Sequence, residues 1–260
     1  MKFAISIPPA GDPADLIACV RAAEEAGWDG FFFWDHIYPG DGFSLHDPWV
    51  LLGAAATATS RIRLGAMVTP LARRRPWKVA KEIATLDQLS AGRVVVGVGL
   101  GTPDTEFTAF GESADRRHRA AVLDEALALL DGFLRGEVVD HEGPHFQVRA
   151  RLTPGCAQTP RPPIWVAATW PHRRPLARAA RFEGVFALGR DAVGGLTPDQ
   201  VREVRAAIGP DRDIVVPHDP EVPTAEYAEA GVTWLVVGPD DPDGDWLGRL
   251  RTNLTPGPPT

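Results

Sequence analysis

A (β/α)8 barrel is the fold that the sequence predicts, and three observations point to it. Strand-like and helix-like segments alternate roughly eight times along 260 residues, close to the length of about 250 usual for such barrels. The strand-like runs are short and apolar at consecutive positions, as in Phe31-Phe32-Phe33-Trp34, the pattern of strands buried on both faces in a parallel sheet. The glycine-rich stretch Gly97-Val98-Gly99-Leu100-Gly101-Thr102 fails as a dinucleotide fingerprint, because its sixth position is Thr102, Pro103 follows, and the next helix begins only near Asp115. A doubly wound open sheet is the alternative, since strand order cannot be read from one sequence.

In chain order, residues 2–7 form the first strand, and residues 12–26, with Leu16, Ile17 and Val20 at helical spacing, form a first helix ended by Gly27. The second strand runs into Asp35-His36, which emerge where a parallel strand leaves the core. Asp47-Pro48 opens a second helix to about Thr59, with Asp47 as cap and Pro48 at the first helical position. A third strand spans 61–69, a third helix 76–89 and a fourth strand 93–99. After the segment 102–112 comes an Ala/Leu-rich helix over 115–134. Residues 137–163 read as an insertion after strand four, with a hairpin signalled by the alternation His145-Phe146-Gln147-Val148. A fifth strand (164–168), a helix (173–182), a sixth strand (184–188) and a helix opened by Thr197-Pro198 follow. The last third is compact: strands at 213–216 and 232–237, and helices at 224–230 and 244–252. The reading is one domain over residues 1–254, then a disordered Pro-rich tail from Thr255 to Thr260.

Composition narrows the function. Hydrophobic residues are 44% and charged residues 23%, as in a globular protein, and a net charge of −7 argues against a nucleic-acid partner held through its phosphates. No apolar run reaches the ~18 residues of a bilayer span, and the apolar start is too short for a signal peptide, so the expected location is cytoplasmic with no membrane association. Cys19 and Cys156 lack motif spacing and are expected as thiols.

Among the motifs, His141-Glu142-Gly143-Pro144-His145 matches the H-E-x-x-H zinc pattern by letter. That pattern needs a helix, and Gly143 and Pro144 break one, Pro at a cost of about 3 kcal/mol, so no metal site is expected. Arg73-Arg74-Arg75 and Arg173-Arg174 each follow a strand, and guanidinium forks suit phosphate or carboxylate groups. Most of the tryptophans are core candidates, with Trp170 at a strand end the exception. Asp35-His36 is the leading chemical candidate, because imidazole titrates near neutral pH and a neighbouring carboxylate can orient it. There is no nucleophile elbow and no phosphate-gripping loop of the G-x-x-x-x-G-K-[ST] type.

The assembled motifs resemble the luciferase-like superfamily of flavin- and deazaflavin-dependent oxidoreductases. The resemblance is carried by Ala26-Gly27-Trp28-Asp29 into Trp34-Asp35-His36, by Asp47-Pro48-Trp49, Ala58-Thr59-Ser60-Arg61-Ile62-Arg63-Leu64-Gly65, Ala84-Thr85-Leu86-Asp87 and Ser90-Ala91-Gly92-Arg93. Gly97 to Gly101, leading to Glu106-Phe107 and Phe110-Gly111, and then Pro163-Ile164-Trp165-Val166-Ala167 and Ala179-Ala180-Arg181 extend it over residues 1–188.

This resemblance implies a barrel whose mouth holds coenzyme F-420, a deazaflavin, or reduced FMN. Cofactor contacts are implied at Met67, Val68, Thr69, Gly99, Gly101, Thr102, Ala168, Thr169, Trp170 and Arg173, with a non-prolyl cis peptide at Met67-Val68. Asp-His at the end of strand two resembles the deazaflavin branch. His36, oriented by Asp35, would then handle a proton as hydride passes to or from a small-molecule substrate, with Glu106 as a second candidate group. Thr102-Pro103 stands where some deazaflavin dehydrogenases have an acid, which displaces Glu106. With FMN the expected activity is a monooxygenase; a degenerate barrel that binds without catalysis is the other alternative. Relatives of this kind are commonly dimers, which leaves a homodimer as an open expectation.

Overall fold

The computed structural model describes residues 1–190, 194–239, 247–248, 254 and 257–259. Its strands are β1 (Lys2–Ile7), β2 (Gly30–Phe33), β3 (Arg63–Ala66), β4 (Thr69–Pro70), β5 (Val96–Gly99), β6 (Val139–Glu142), β7 (Gln147–Ala150), β8 (Ile164–Thr169), β9 (Gly184–Leu188), β10 (Asp213–Pro217) and β11 (Trp234–Val237). Between them lie α1 (Pro13–Glu25), α2 (Pro48–Ala58), α3 (Pro76–Leu89), α4 (Thr105–Thr108), α5 (Arg116–Leu134), α6 (Arg173–Ala179), α7 (Pro198–Ile208) and α8 (Thr224–Ala230).

Nine strands form one parallel sheet in the order β3-β2-β1-β11-β10-β9-β8-β5-β4. Its two edges, β3 and β4, are successive pieces of the same stretch of chain, separated at Met67-Val68, whose peptide bond is cis. A parallel bridge between Leu64 and Val94 joins β3 to the residues leading into β5. The sheet therefore closes on itself. Counting β3 with β4 as one stave, the barrel is β1, β2, β3/β4, β5, β8, β9, β10 and β11, the (β/α)8 architecture that the alternation predicts. The single third strand expected over 61–69 is thus two short ones, and α4 is an element the sequence reading leaves out. The hairpin β6–β7 forms a separate antiparallel pair, so residues 137–163 stand outside the barrel sheet as the insertion expected after strand four.

Alternation along the staves builds two apolar layers. On β2, Phe31 and Phe33 point outward into the large core between sheet and helices, joined by Ile5, Ile7, Leu16, Leu52, Val166 and others. Phe32 points inward, with Ala4, Met67, Val95, Trp165, Val215, Trp234 and Val236. The inner rings pack tightly: Phe32 lies 5.7 Å from Trp165, and Trp165 lies 5.2 Å from Trp234. This aromatic layer fills the barrel on the side of the strand N-termini.

Helix starts follow local chemistry. Asp12, Asp47 and Asp115 each cap a helix by accepting from backbone N–H groups of its first turn, and Thr197 forms a capping box with Gln200. The Ser90-Ala91-Gly92-Arg93 turn closes α3 with Ala91 and Gly92 at positive φ, and delivers Arg93 into the gap between α2 and β3. There the buried guanidinium donates to the carbonyls of Ser90, Ile62, Ala56 and Thr59 and to Thr59 Oγ1. Desolvation lowers its pKa, with the charges of Glu24 and Arg63 acting in opposite senses. The helix expected at 244–252 and the tail from Thr255 fall mainly on residues outside the described set. No helix among the described residues is long and apolar enough to cross a membrane.

Replacing Arg93 by Leu leaves several buried carbonyls without donors, and each hydrogen bond to a charged group contributes roughly 1.5–3 kcal/mol. The expected result is a loss of at least ~2 kcal/mol in urea unfolding with little change in slope; a midpoint equal to that of the wild type contradicts this account of the turn.

Candidate active site

Asp35 and His36 follow β2 directly, and their side chains diverge. Asp35 is buried, at 4% exposure. Its Oδ1 accepts from Arg73 Nη2 (3.2 Å) and Arg74 Nη2 (2.9 Å), and its Oδ2 from Trp49 Nε1 (3.2 Å). The expected orientation of His36 by Asp35 is therefore corrected. Successive residues of an extended chain face opposite ways, so adjacency in sequence separates these two groups.

The partner of His36 is Glu106, on the short helix α4. Its Oε1 lies 3.1 Å from His36 Nδ1 and also accepts from Ile37 N (2.7 Å) and Tyr38 N (3.0 Å). Its Oε2 accepts from Arg73 Nη1 at 2.5 Å. Burial pushes the Glu106 carboxyl upward, but the His36 hydrogen bond, the charges of Arg73 and His36 and the Tyr38 N–H outweigh it and hold the carboxyl below its ordinary range. Glu106 is thus an acceptor only, so Nδ1 of His36 carries the hydrogen that meets it and Nε2 is left outside this contact. Arg73, buried, also donates to the Asp35 carbonyl at 2.8 Å and ties the end of β2 to the segment after β5. Two carboxylates and two guanidiniums balance in this cluster, and part of the Arg73-Arg74-Arg75 run is consumed there.

His36, 24% exposed in its side chain, lines a cavity of about 1920 Å3 above the aromatic layer. Its position at the strand C-termini is where barrels of this kind carry their sites. Of the residues expected to contact a cofactor, Met67, Val68, Gly101, Thr102, Thr169 and Arg173 line this cavity, as do Asp35 and His36. Thr69, Gly99, Ala168 and Trp170 do not. Ala168 faces the outer core, and its neighbour Ala167 takes the cavity position, as strand alternation requires. Gly99 makes room for Val68: a Cβ there would lie 2.6 Å from Val68 Cγ2. Thr69 is fully buried, with its hydroxyl lacking a hydrogen-bond partner, and Trp170 donates to Glu203 at 2.8 Å. Gly101, at φ +90°, turns the chain beside Phe107, and the buried Arg119 donates to its carbonyl and to Asp104.

The sequence reading missed Ser6, Phe186 and His218, which line the cavity from β1, β9 and the end of β10. Burial lowers the His218 pKa, partly countered by Asp219, so this imidazole is neutral at neutral pH. The inward positions of β1 and β9 follow from alternation once one inward residue per strand is known. The H-E-x-x-H letters belong to the hairpin instead: His141 lies on β6, Gly143 and Pro144 form the turn, and His141 Nε2 is 2.9 Å from Glu125 Oε1.

A model of the luciferase-like monooxygenase family matches residues 1–231. The chain belongs to that family. This luciferase-like protein is 38% identical to an F-420-dependent glucose-6-phosphate dehydrogenase of Beutenbergia cavernae, over 64% of the chain and 50% of the relative. It is 32% identical to a protein of the same name from Microbacterium testaceum, over 74% and 56%. It thus spans about half the length of these curated relatives. An uncharacterized protein of Mycobacterium tuberculosis is 31% identical over 91% of the chain and 93% of its own length. The fold matches an F-420-dependent secondary alcohol dehydrogenase in complex with an F-420–acetone adduct, at TM-score 0.78, 17% identity and 98% coverage of both chains. It also matches the F-420-dependent tetrahydromethanopterin reductase of Methanopyrus kandleri, at TM-score 0.74, 19% identity, and 96% and 97% coverage.

A carboxyl whose pKa is depressed on folding contributes stability above its unfolded pKa of about 4.3 and loses that contribution as pH falls through the folded value. Replacing Glu106 by Gln should therefore flatten the fall in urea-unfolding free energy between about pH 5 and pH 3 relative to the wild type. Parallel profiles for the two proteins contradict the charged state assigned to Glu106.

Proposed function

We propose that this luciferase-like protein is an F-420-dependent oxidoreductase that interconverts a hydroxyl and a carbonyl on a small organic substrate. The observation that carries the reading is His36, held through Nδ1 by the buried, ionised Glu106 and lining the cavity. The residues present suit a deazaflavin: an apolar wall of Val68, Pro70, Leu100 and Gly101 for a ring, the cavity's volume of about 1920 Å3, and Arg173 for a phosphate. When bound, F-420 supplies a carbon centre that accepts or donates hydride, and this favours hydride transfer over the oxygen chemistry of reduced FMN.

The chain's own residues handle the proton. His36 Nε2 takes the hydrogen of the substrate hydroxyl as the adjoining carbon gives up hydride, and returns it in the reverse direction. Glu106 holds the ring and stabilises the imidazolium that forms. Arg73 keeps Glu106 ionised and in place, while Asp35 fixes Arg73 and Arg74. Thus Asp35 acts through the arginines, and Glu106 acts on the imidazole directly. Trp34, held by its donation to Ser6 Oγ at 3.1 Å, and Phe186 form apolar surface for the substrate.

Titration of the purified chain with F-420 and with FMN, oxidised and reduced, tests the reading. Saturable F-420 binding is the expected result; FMN binding alone, with oxygen consumption, points to a monooxygenase. With F-420 and a panel of secondary alcohols, His36→Ala should lower kcat by about 10²–10⁴-fold while the cofactor Kd stays within about threefold of the wild type. Unchanged turnover in that variant removes His36 from the mechanism, and absence of turnover in the wild type favours a binding barrel without catalysis.

A further inference from the structure

Glu106 reaches His36 from a segment that has little of its own to hold it in place. Of residues 101–115, between β5 and α5, only Glu106 and Phe107 are buried. The one helix in that stretch, α4, has four residues, too few to be stable alone, and Asp104 at its N-cap position makes no side-chain cap bond. Yet the Glu106 carboxylate has to sit within hydrogen-bonding reach of His36 Nδ1, of the N–H groups of Ile37 and Tyr38, and of Arg73. Support from behind α4 is therefore required.

Arg119, in the first turn of α5 and 2% exposed, provides it. Its Nη1 donates to the Gly101 carbonyl (3.3 Å), and its Nη2 to Asp104 Oδ1 (2.5 Å) and the Ala114 carbonyl (3.0 Å). The guanidinium carbon lies 4.4 Å from the centroid of the Phe107 ring, the side chain next to Glu106. One side chain thus holds the segment at its beginning, middle and end. Gly101 lines the cavity and packs on the same Phe107 ring, so the cavity wall and Glu106 share this support. Stability alone does not account for an arginine here. Among the described residues its Nε is buried without a hydrogen-bond partner, and a buried charge with a donor unmatched is costly where an apolar side chain of similar size is often neutral or better. What the planar fork adds is a fixed geometry among the oxygens it meets.

We infer that Arg119 is a positioning residue, which sets the Glu106 carboxylate against His36 by clamping residues 101–114 from behind α4. Its consequence for turnover rests on the oxidoreductase reading of the site; the placement of Glu106 does not. Arg73 and Arg119 then divide the work, the first meeting the carboxylate and the second the chain that carries it.

The test compares Arg119→Met and Arg119→Lys with the wild type by isotope-edited NMR of protein labelled at its glutamate carboxyls, the Glu106 signal being assigned by its loss in Glu106→Gln. In folded Arg119→Met the contacts of Glu106 with His36, Arg73 and the N–H groups of Ile37 and Tyr38 loosen, and its carboxyl should titrate at higher pH by about half a unit or more. With F-420 and a secondary alcohol that the wild type turns over, kcat should fall about 10- to 100-fold while the KM for the alcohol stays within about threefold. Arg119→Lys, which keeps the charge and loses the fork, should fall between the two. If both variants fail to fold, Asp104→Ala, at a side chain 64% exposed, should give the same upward shift on a smaller scale. A Glu106 titration unchanged in a folded variant overturns the inference, whatever the effect on stability. Absence of turnover by the wild type removes the oxidoreductase reading alone, because the carboxyl titration still decides the role of Arg119.

Discussion

Arg73 is the tie on which the arrangement of the site depends. One guanidinium nitrogen meets Glu106, and the other meets both the carbonyl and the carboxylate of Asp35. Three segments distant in sequence, the end of β2, the turn after β4 and the helix after β5, are thereby locked together with little exposed surface. Buried charges are costly unless paired and hydrogen-bonded, and here Asp35 and Glu106 are paired with Arg73 and Arg74, the latter also meeting Glu82. The imidazole of His36 then hangs from a carboxylate that is itself immobile. An imidazole held this way keeps one orientation.

The barrel supplies the frame for that tie through a division of labour along each strand. Outward residues such as Phe31 and Phe33 hold the helices, while inward Phe32, Trp165 and Trp234 fill the base. Above that base, inward positions turn smaller or polar, as at Ser6, Ala167 and Thr169, and the cavity opens. The change occurs within two residues of chain, so the step from packed core to binding space is set by side-chain size at single positions.

Much of the fold was legible because it depends on short-range patterns. The cap at Asp47, the helix opened by Thr197-Pro198, the both-face burial of β2 and the hairpin near His145–Val148 all follow from spacing and residue type. The site was legible in membership and less so in connection. His36 and Glu106 were both singled out, yet Asp35 was taken as the partner of His36, because proximity in sequence suggested a contact that extended geometry forbids. The true contact bridges seventy positions and needs the short helix α4, which has only four residues and no periodic signal. The resemblance implies Ala168, whereas Ala167 lines the cavity, because a strand's facing is ambiguous by one residue until its neighbours fix the register. The break in the third strand has no signature in composition, so β3 and β4 were read as one.

The aromatic layer at the base also gives the cavity a direction. Phe32, Trp165 and Trp234 fill the barrel on the side of the strand N-termini, so the cavity they underlie has a floor. In a blind passage, whichever of two ligands seats deeper has to arrive first and depart last, and the shallower one exchanges freely above it.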